Sequence, residues 1–150
     1  ENCMQTEIVH WIVPEAINTS LEADTNENIL DDLITLLEKT GQVLFPTIVK
    51  QDILHREALG STRIAEGLSI PHAHTEGVRS FCAALGVVAH TSIYVLLAWN
   101  EHTPSYLKRL AAIIETLQKE DVKNAILAAS SAQEVLEILE PQFQKYNIDL

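Results

Sequence analysis

His72, Arg56, Ser61 and Thr62 are the residues whose types and spacing carry chemistry, and one short segment, HREALGSTRIAEGLSIPHAH from His55 to His74, holds them all. Imidazole titrates near neutral pH, so a good share of His72 is neutral there and offers a ring nitrogen as a nucleophile. Arg56 presents a planar, permanently charged fork suited to phosphate oxygens. Ser61 and Thr62 add hydroxyl and backbone donors in a turn that Gly60 makes flexible. A nucleophile and groups that hold an anion thus lie together. The plainer alternative is a partly exposed loop histidine beside an Arg-Glu pair that caps or ion-pairs a helix end.

The elements that must position these residues follow from the same segment. Pro71 fixes its own φ, lacks a backbone N–H and biases Ile70 towards an extended conformation, so the short strand Leu68 to Ile70 is expected to end at His72, at a sheet edge. His55-Arg56-Glu57 reads as a helix end that delivers Arg56 towards the turn.

The spelling R-E-x-x-x-S-T-x-I-x-x-G-[LI]-[AS]-I-P-H resembles the active-site segment of the phosphotransferase-system EIIA domains of the mannitol and fructose type, including their nitrogen-regulatory branch. The helix pattern NENILDDLITLLEKTG and the C-terminal run YLKRLAAIIETLQKEDVKNAILAASSAQEVLEIL fall in the family's order, so the resemblance covers roughly residues 8 to 140. It implies that His72 accepts a phosphoryl group, through Nε2, from the carrier HPr or its nitrogen-branch counterpart. Arg56 with Ser61 or Thr62 would hold the transferring oxygens. It also implies a regulatory target or an EIIB domain downstream, and no cofactor. With no B domain in this chain, a stand-alone nitrogen-regulatory EIIA is expected. The alternatives are the EIIA component of fructose- or mannitol-type sugar transport and a binding module that kept the fold and lost the transfer.

The chain departs from the family's pattern in three ways. Arg63, Ala65 and Ala73 stand where glycines are common, which narrows the turn or adds a positive group. Tyr106 aligns with the family's second histidine; it can donate a hydrogen bond but cannot share a proton near neutral pH. The connection between the apolar runs Phe81 to Ala89 and Ile93 to Trp99 is only His90-Thr91-Ser92. Either a true deletion or a flexible loop left out of the sequence accounts for it, and the second is expected, although three residues suffice for a tight hairpin.

At 150 residues and 47% hydrophobic content the chain suits one globular domain, 1–150, with short tails at both ends. No apolar run reaches membrane-spanning length and no signal peptide is visible, so a cytoplasmic protein without membrane insertion is expected. Net charge of −11 disfavours nucleic acid and anionic membrane as partners. Residues 1 to 40 hold nine acids and one base, whereas residues 41 to 80 hold four of each, so the segment around His72 is locally balanced. Cys3 and Cys82 have no motif spacing, and neither a disulfide nor a metal site follows from them. His72 and His74 are spaced as metal ligands on a strand would be, but no third ligand is evident and Ala73 is expected to leave the strand, so no metal is assigned. A serine-hydrolase site is weaker still, since no nucleophile elbow exists.

Ile8 to Val13 is a strand or a helical turn, and Ile17 to Leu21 a strand. Thr25 or Asn26 caps a helix burying Ile29, Leu30, Leu33, Leu36 and Leu37 and stopping at Gly41. A second helix starts at Pro46 and buries Ile48, Val49, Ile53 and Leu54. Ile93 to Trp99 is the best central strand, with Trp99 at its rim. Thr103 and Pro104 open a helix with the stripe Leu107, Leu110, Ala111, Ile114 and Leu117, placing Tyr106 in its first turn. A shorter helix follows Asp121. Ser131 and Glu134 begin another that Pro141 ends, and a tail follows. Alternating strands and helices indicate an α/β fold, a mixed β-sheet flanked by helices on both faces.

Overall fold

The computed structural model describes residues 10–103 and 105–150, so the stretch Ile8 to Val13 lies partly, and Cys3 and Pro104 wholly, outside the described residues. A 3-10 turn at Pro14–Ala16 leads into β1 (Ile17–Leu21), followed by α1 (Asn26–Glu38) and α2 (Pro46–Leu59). Three short strands come next, β2 (Arg63–Ala65), β3 (Leu68–Ser69) and β4 (His72–His74), and then the long pair β5 (Cys82–Val88) and β6 (Ser92–Trp99). The chain closes with α3 (Tyr106–Gln118), α4 (Glu120–Ala128) and α5 (Ala132–Gln144).

The sheet runs β1-β5-β6-β3-β2, with β4 also paired to β6. β1 is parallel to β5, β5 antiparallel to β6, β3 and β4 parallel to β6, and β2 antiparallel to β3. The sheet is therefore mixed. Alternation along the central strands divides the core: Leu85, Val87, Ile93, Val95 and Leu97 pack with α3, α4 and α5, while Cys82, Ala84, Leu96 and Ala98 pack with α1 and α2. Helices cover both faces, as the pattern predicted.

Several local expectations hold for the reasons given. The Thr25 side chain accepts a hydrogen bond from Asn28 N at 3.2 Å, capping α1, whose five predicted core residues are all buried together with Ile34. Pro46 opens α2. β6 occupies the centre of the sheet. Ser131 caps α5 through Glu134 N at 3.2 Å, although the Glu134 carboxylate turns to the Ser130 hydroxyl at 2.6 Å, so only half of a capping box forms.

Other expectations are corrected. Pro71 interrupts the edge strand without ending it: its carbonyl accepts from Leu97 N at 2.9 Å, and His72, Ala73 and His74 then pair with Leu97, Ala98 and Trp99. Ala73 thus stays in the strand. Arg63 to Ala65, read as part of a turn, makes the outer strand β2. The short connection closes as a tight turn in which Thr91 N donates to Val88 O at 3.0 Å, with Ala89 and His90 at φ 54 and 55°. Two left-handed central residues match the twist of the flanking strands, the tight-hairpin alternative of the sequence reading.

In α2, Ile48 and Leu54 are exposed while Val49 and Ile53 are buried. Thr103 does not cap α3; its hydroxyl donates to Asn100 Oδ1, and the N-cap is Ser105. The buried face of α3 is Ala112, Ile113, Thr116 and Leu117, with Leu107 left 62% exposed. Both stripes fit a helical repeat, and packing against α4, α5 and β2 chose the one containing a threonine. Pro141 lies inside α5, where its missing N–H forgoes one bond on the exposed side. The C-terminal residues are packed rather than a tail, for Phe143 and Ile148 are buried and Trp11 Nε1 donates to Asp149 O at 2.7 Å. Among the described residues no helix is long and apolar enough to cross a membrane.

Candidate functional site

β4 carries His72, the candidate nucleophile, at the sheet's edge. Ala73 packs in the core beneath α1 and α2, so strand alternation turns His72 and His74 to the opposite face, the one that α3 covers. His72 is half-buried. Its Nδ1 lies 2.7 Å from the Ile70 carbonyl oxygen. A carbonyl can only accept, so Nδ1 carries the proton and Nε2 keeps its lone pair. The local turn across Pro71 therefore selects the tautomer whose outer nitrogen is nucleophilic.

Aromatic rings build the wall behind this imidazole. The Trp99 ring is stacked with that of His72, centroids 6.0 Å apart and planes 19° from parallel. Tyr106, the first residue of α3, stacks on Trp99 at 4.5 Å and 10°. Phe81 is also nearly parallel to Trp99, at 6.2 Å and 16°. The Arg109 guanidinium sits 5.3 Å from the Phe81 ring centre and donates to the Ser105 hydroxyl. Burial pushes its pKa down, as expected for a charge held against rings.

The remaining predicted residues surround the turn that precedes β2. Arg56 stands in the last turn of α2, on the helix layer opposite the His72 ring, and donates to the Gly60 carbonyl at 2.8 Å. Ser61 is exposed and its hydroxyl accepts from Arg63 N at 3.1 Å. Thr62 is buried, and its hydroxyl donates to Glu57 Oε1. Its carbonyl accepts from Ile70 N at 3.0 Å, so the turn is tied to the residue whose own carbonyl holds His72. The structure thus joins His72 to Tyr106 through Trp99, and to Thr62 through Ile70.

Sequence reasoning named His72 and Tyr106 but missed the roles of Trp99, Phe81, Arg109 and Glu57. Trp99 was legible as a rim residue; what it touches depends on the parallel pairing of β4 with β6. Glu57 adjoins Arg56 in the motif, and the five-residue separation from Thr62 gave no helical signal because Gly60 breaks the helix between them.

His74 Nε2 lies 3.6 Å from Glu76 Oε2, both well exposed. Among the described residues no group of three or more His, Cys, Asp or Glu is placed to hold a metal ion. A cleft of about 770 Å³ lies on the α1 and α2 side, with Ser61, Thr62, Arg63 and Pro71 along one wall; His72 does not line it.

Comparison with known proteins matches residues 11–142 to the family described as phosphoenolpyruvate-dependent sugar phosphotransferase system, EIIA 2. The fructose-specific EIIABC component of Bacillus subtilis (strain 168) is 27% identical over 145 residues, covering 88% of this chain and 23% of that protein. The chain therefore spans about a quarter of that relative. A nitrogen regulatory protein of Bradyrhizobium diazoefficiens is 26% identical over 148 residues, covering 88% of this chain and 94% of its own length. In three dimensions the chain resembles the nitrogen regulatory protein IIA-Ntr from Neisseria meningitidis, with a TM-score of 0.76, 23% identity, and coverage of 86% of this chain and 96% of that one. This last likeness concerns the fold.

Proposed function

Because the chain belongs to the EIIA 2 family of the phosphoenolpyruvate-dependent sugar phosphotransferase system, we propose that it is a phosphoryl carrier that takes a phosphoryl group from an HPr-type phosphocarrier onto His72 and uses it for regulation. One observation carries the reading: Nδ1 of His72 is committed to the Ile70 carbonyl, and Nε2 is left with its lone pair on the edge strand. In-line attack by Nε2 forms the new N–P bond as the carrier's own N–P bond breaks, and the electron pair returns to the carrier's imidazole. Donor and acceptor are chemically alike, so the transfer is nearly balanced and the protein supplies positioning.

Arg56 is assigned to the equatorial phosphoryl oxygens, which it reaches by exchanging its bond to Gly60 for one to the stronger anionic acceptor. Ser61, exposed in the same turn, is the better placed of the two hydroxyl residues to join it. Thr62 is held by Glu57 and contributes by fixing the turn. Residues 1–150 are taken as one such domain, and the downstream partner as a regulated protein. The likeness to a nitrogen regulatory protein supports this reading. That reading, transfer to an EIIB domain in sugar transport, is supported by the likeness to a fructose-specific EIIABC component.

The test is intact mass after incubation with a phosphorylated HPr-type carrier. Wild type is expected to gain one phosphoryl group, His72→Ala none, and Arg56→Ala the same gain more slowly. Onward passage to a purified EIIB domain would favour transport. A mass gain that survives His72→Ala would overturn the assignment.

A further inference from the structure

The aromatic column at the site has a consequence for the chemistry of His72 itself. When Nε2 forms a bond to phosphorus while Nδ1 keeps its proton against the Ile70 carbonyl, the ring acquires the positive charge of an N-phosphoimidazolium. The donor's leaving nitrogen takes the electron pair, and no proton needs to move. A nearly parallel, stacked indole lies 6.0 Å away, at the limit of useful cation–π distance from that charge. Trp99 is held in place from two further directions, by Tyr106 at 4.5 Å and Phe81 at 6.2 Å, and is 7% exposed. The ring is therefore already in place when the charge develops, which is the condition under which preorganised groups assist a reaction.

We propose that Trp99 is a positioning residue for phosphorylation of His72: its indole fixes the plane of the imidazole and stabilises the positive charge that grows on it as the N–P bond forms, with Tyr106 stacked on the indole and bracing it. The inference rests on the reading of His72 as the phosphoryl acceptor. It assigns to this chain's Trp99 and Tyr106 a task that Arg56 cannot perform, since Arg56 addresses the phosphoryl oxygens and repels the charged ring. The stack also leaves the open side of His72 as the direction of approach.

The experiment uses phosphoramidate, a small phosphoryl donor that needs no carrier protein, so its outcome is independent of whether an HPr-type carrier docks. The full chain is treated with it as wild type, Trp99→Phe and Trp99→Leu, and the rate at His72 is read by peptide mass spectrometry against exposed His102 of the same chain as internal reference. A charge over an aromatic face of partly exposed geometry is worth roughly a twofold to fivefold rate difference. The His72-to-His102 rate ratio is expected to fall about threefold in Trp99→Leu, which keeps apolar bulk without a π face, and to be retained in Trp99→Phe. Thermal melting of all three shows whether each variant is folded at the assay temperature.

A second, spectroscopic readout separates this role from simple packing. In a Trp11→Phe background Trp99 is the only remaining tryptophan, since the chain has two. Its emission is expected to fall as His72 is phosphorylated, because a cationic ring quenches a stacked indole, and to be unaffected by phosphoramidate when His72→Gln is added. An unchanged rate ratio in Trp99→Leu, indole emission indifferent to modification of His72, or labelling of His102 without His72 in wild type would overturn the proposal. Failure of the carrier reaction alone, with these results intact, would instead count against the proposed function.

Discussion

Replacing Thr62 by valine tests whether the turn before β2 is a phosphate ligand or a structural tie. The side chain is 3% exposed, so valine preserves its shape and removes only the hydroxyl that donates to Glu57. A hydrogen bond to a charged acceptor contributes about 1.5–3 kcal/mol, and the lower end applies because the half-buried Glu57 regains water when its partner is lost. The expected loss is about 1.5 kcal/mol, and for a chain of this size about 3–6 °C in Tm. Circular dichroism melts of Thr62→Val, Glu57→Ala and the double variant form a cycle, in which the pair should show a coupling of about 1 kcal/mol. Phosphorylation of His72 should slow in both single variants, because each frees the Thr62 turn whose carbonyl anchors Ile70. Additive losses, or a transfer defect in Thr62→Val that Glu57→Ala does not share, would refute the tie and return Thr62 to the phosphate.

Gly67 sits at φ 75°, and a Cβ there would meet the Thr91 carbonyl oxygen at 2.7 Å; Gly67→Ala should cost about 1–3 kcal/mol in a denaturant melt and loosen the β2–β3 corner. Ala89 adopts φ 54° in the exposed β5–β6 turn, so Ala89→Gly should stabilise by about 0.5–1 kcal/mol, the relief of left-handed strain exceeding the added chain entropy. Burial pushes the Cys82 thiol up to about 12. Its folded pKa lies above the unfolded value, so its contribution to stability is complete below about pH 9 and is lost as pH rises from there through about 12. Peptide mapping after iodoacetamide at pH 8 should find Cys82 unmodified in the native protein and modified once urea is added; native labelling would contradict the burial.

Much of the architecture was readable in the chain because its determinants are local. The apolar spacing of Ile29, Leu30, Leu33 and Leu37, the Thr25 cap, Pro46 at a helix start and the unbroken apolar run into Trp99 each act within a few residues, and all appear as read. The proposed nucleophile could be named for the same reason, as a histidine after proline in a distinctive segment. Its neighbours Arg56 and Ser61 could be named, but where their side chains reach could not.

What the tertiary structure decided are the features set by partners distant in sequence. β4 exists because Pro71 still offers a carbonyl to Leu97 and the next three residues find a free edge of β6; a proline rule that considers only its neighbours ends the strand too soon. The buried face of α3 was chosen by packing against α4, α5 and β2 from two stripes that both fit a helical repeat. Pro141 was tolerated because the buried residues that follow it, Phe143 and Ile148, carry the chain onward. The column of Tyr106, Trp99 and His72 assembles three residues from a helix, a central strand and an edge strand. Sequence determined which groups could react; long-range packing determined which nitrogen of His72 is free and what ring stands behind it, since both depend on how the edge strand registers against the centre of the sheet.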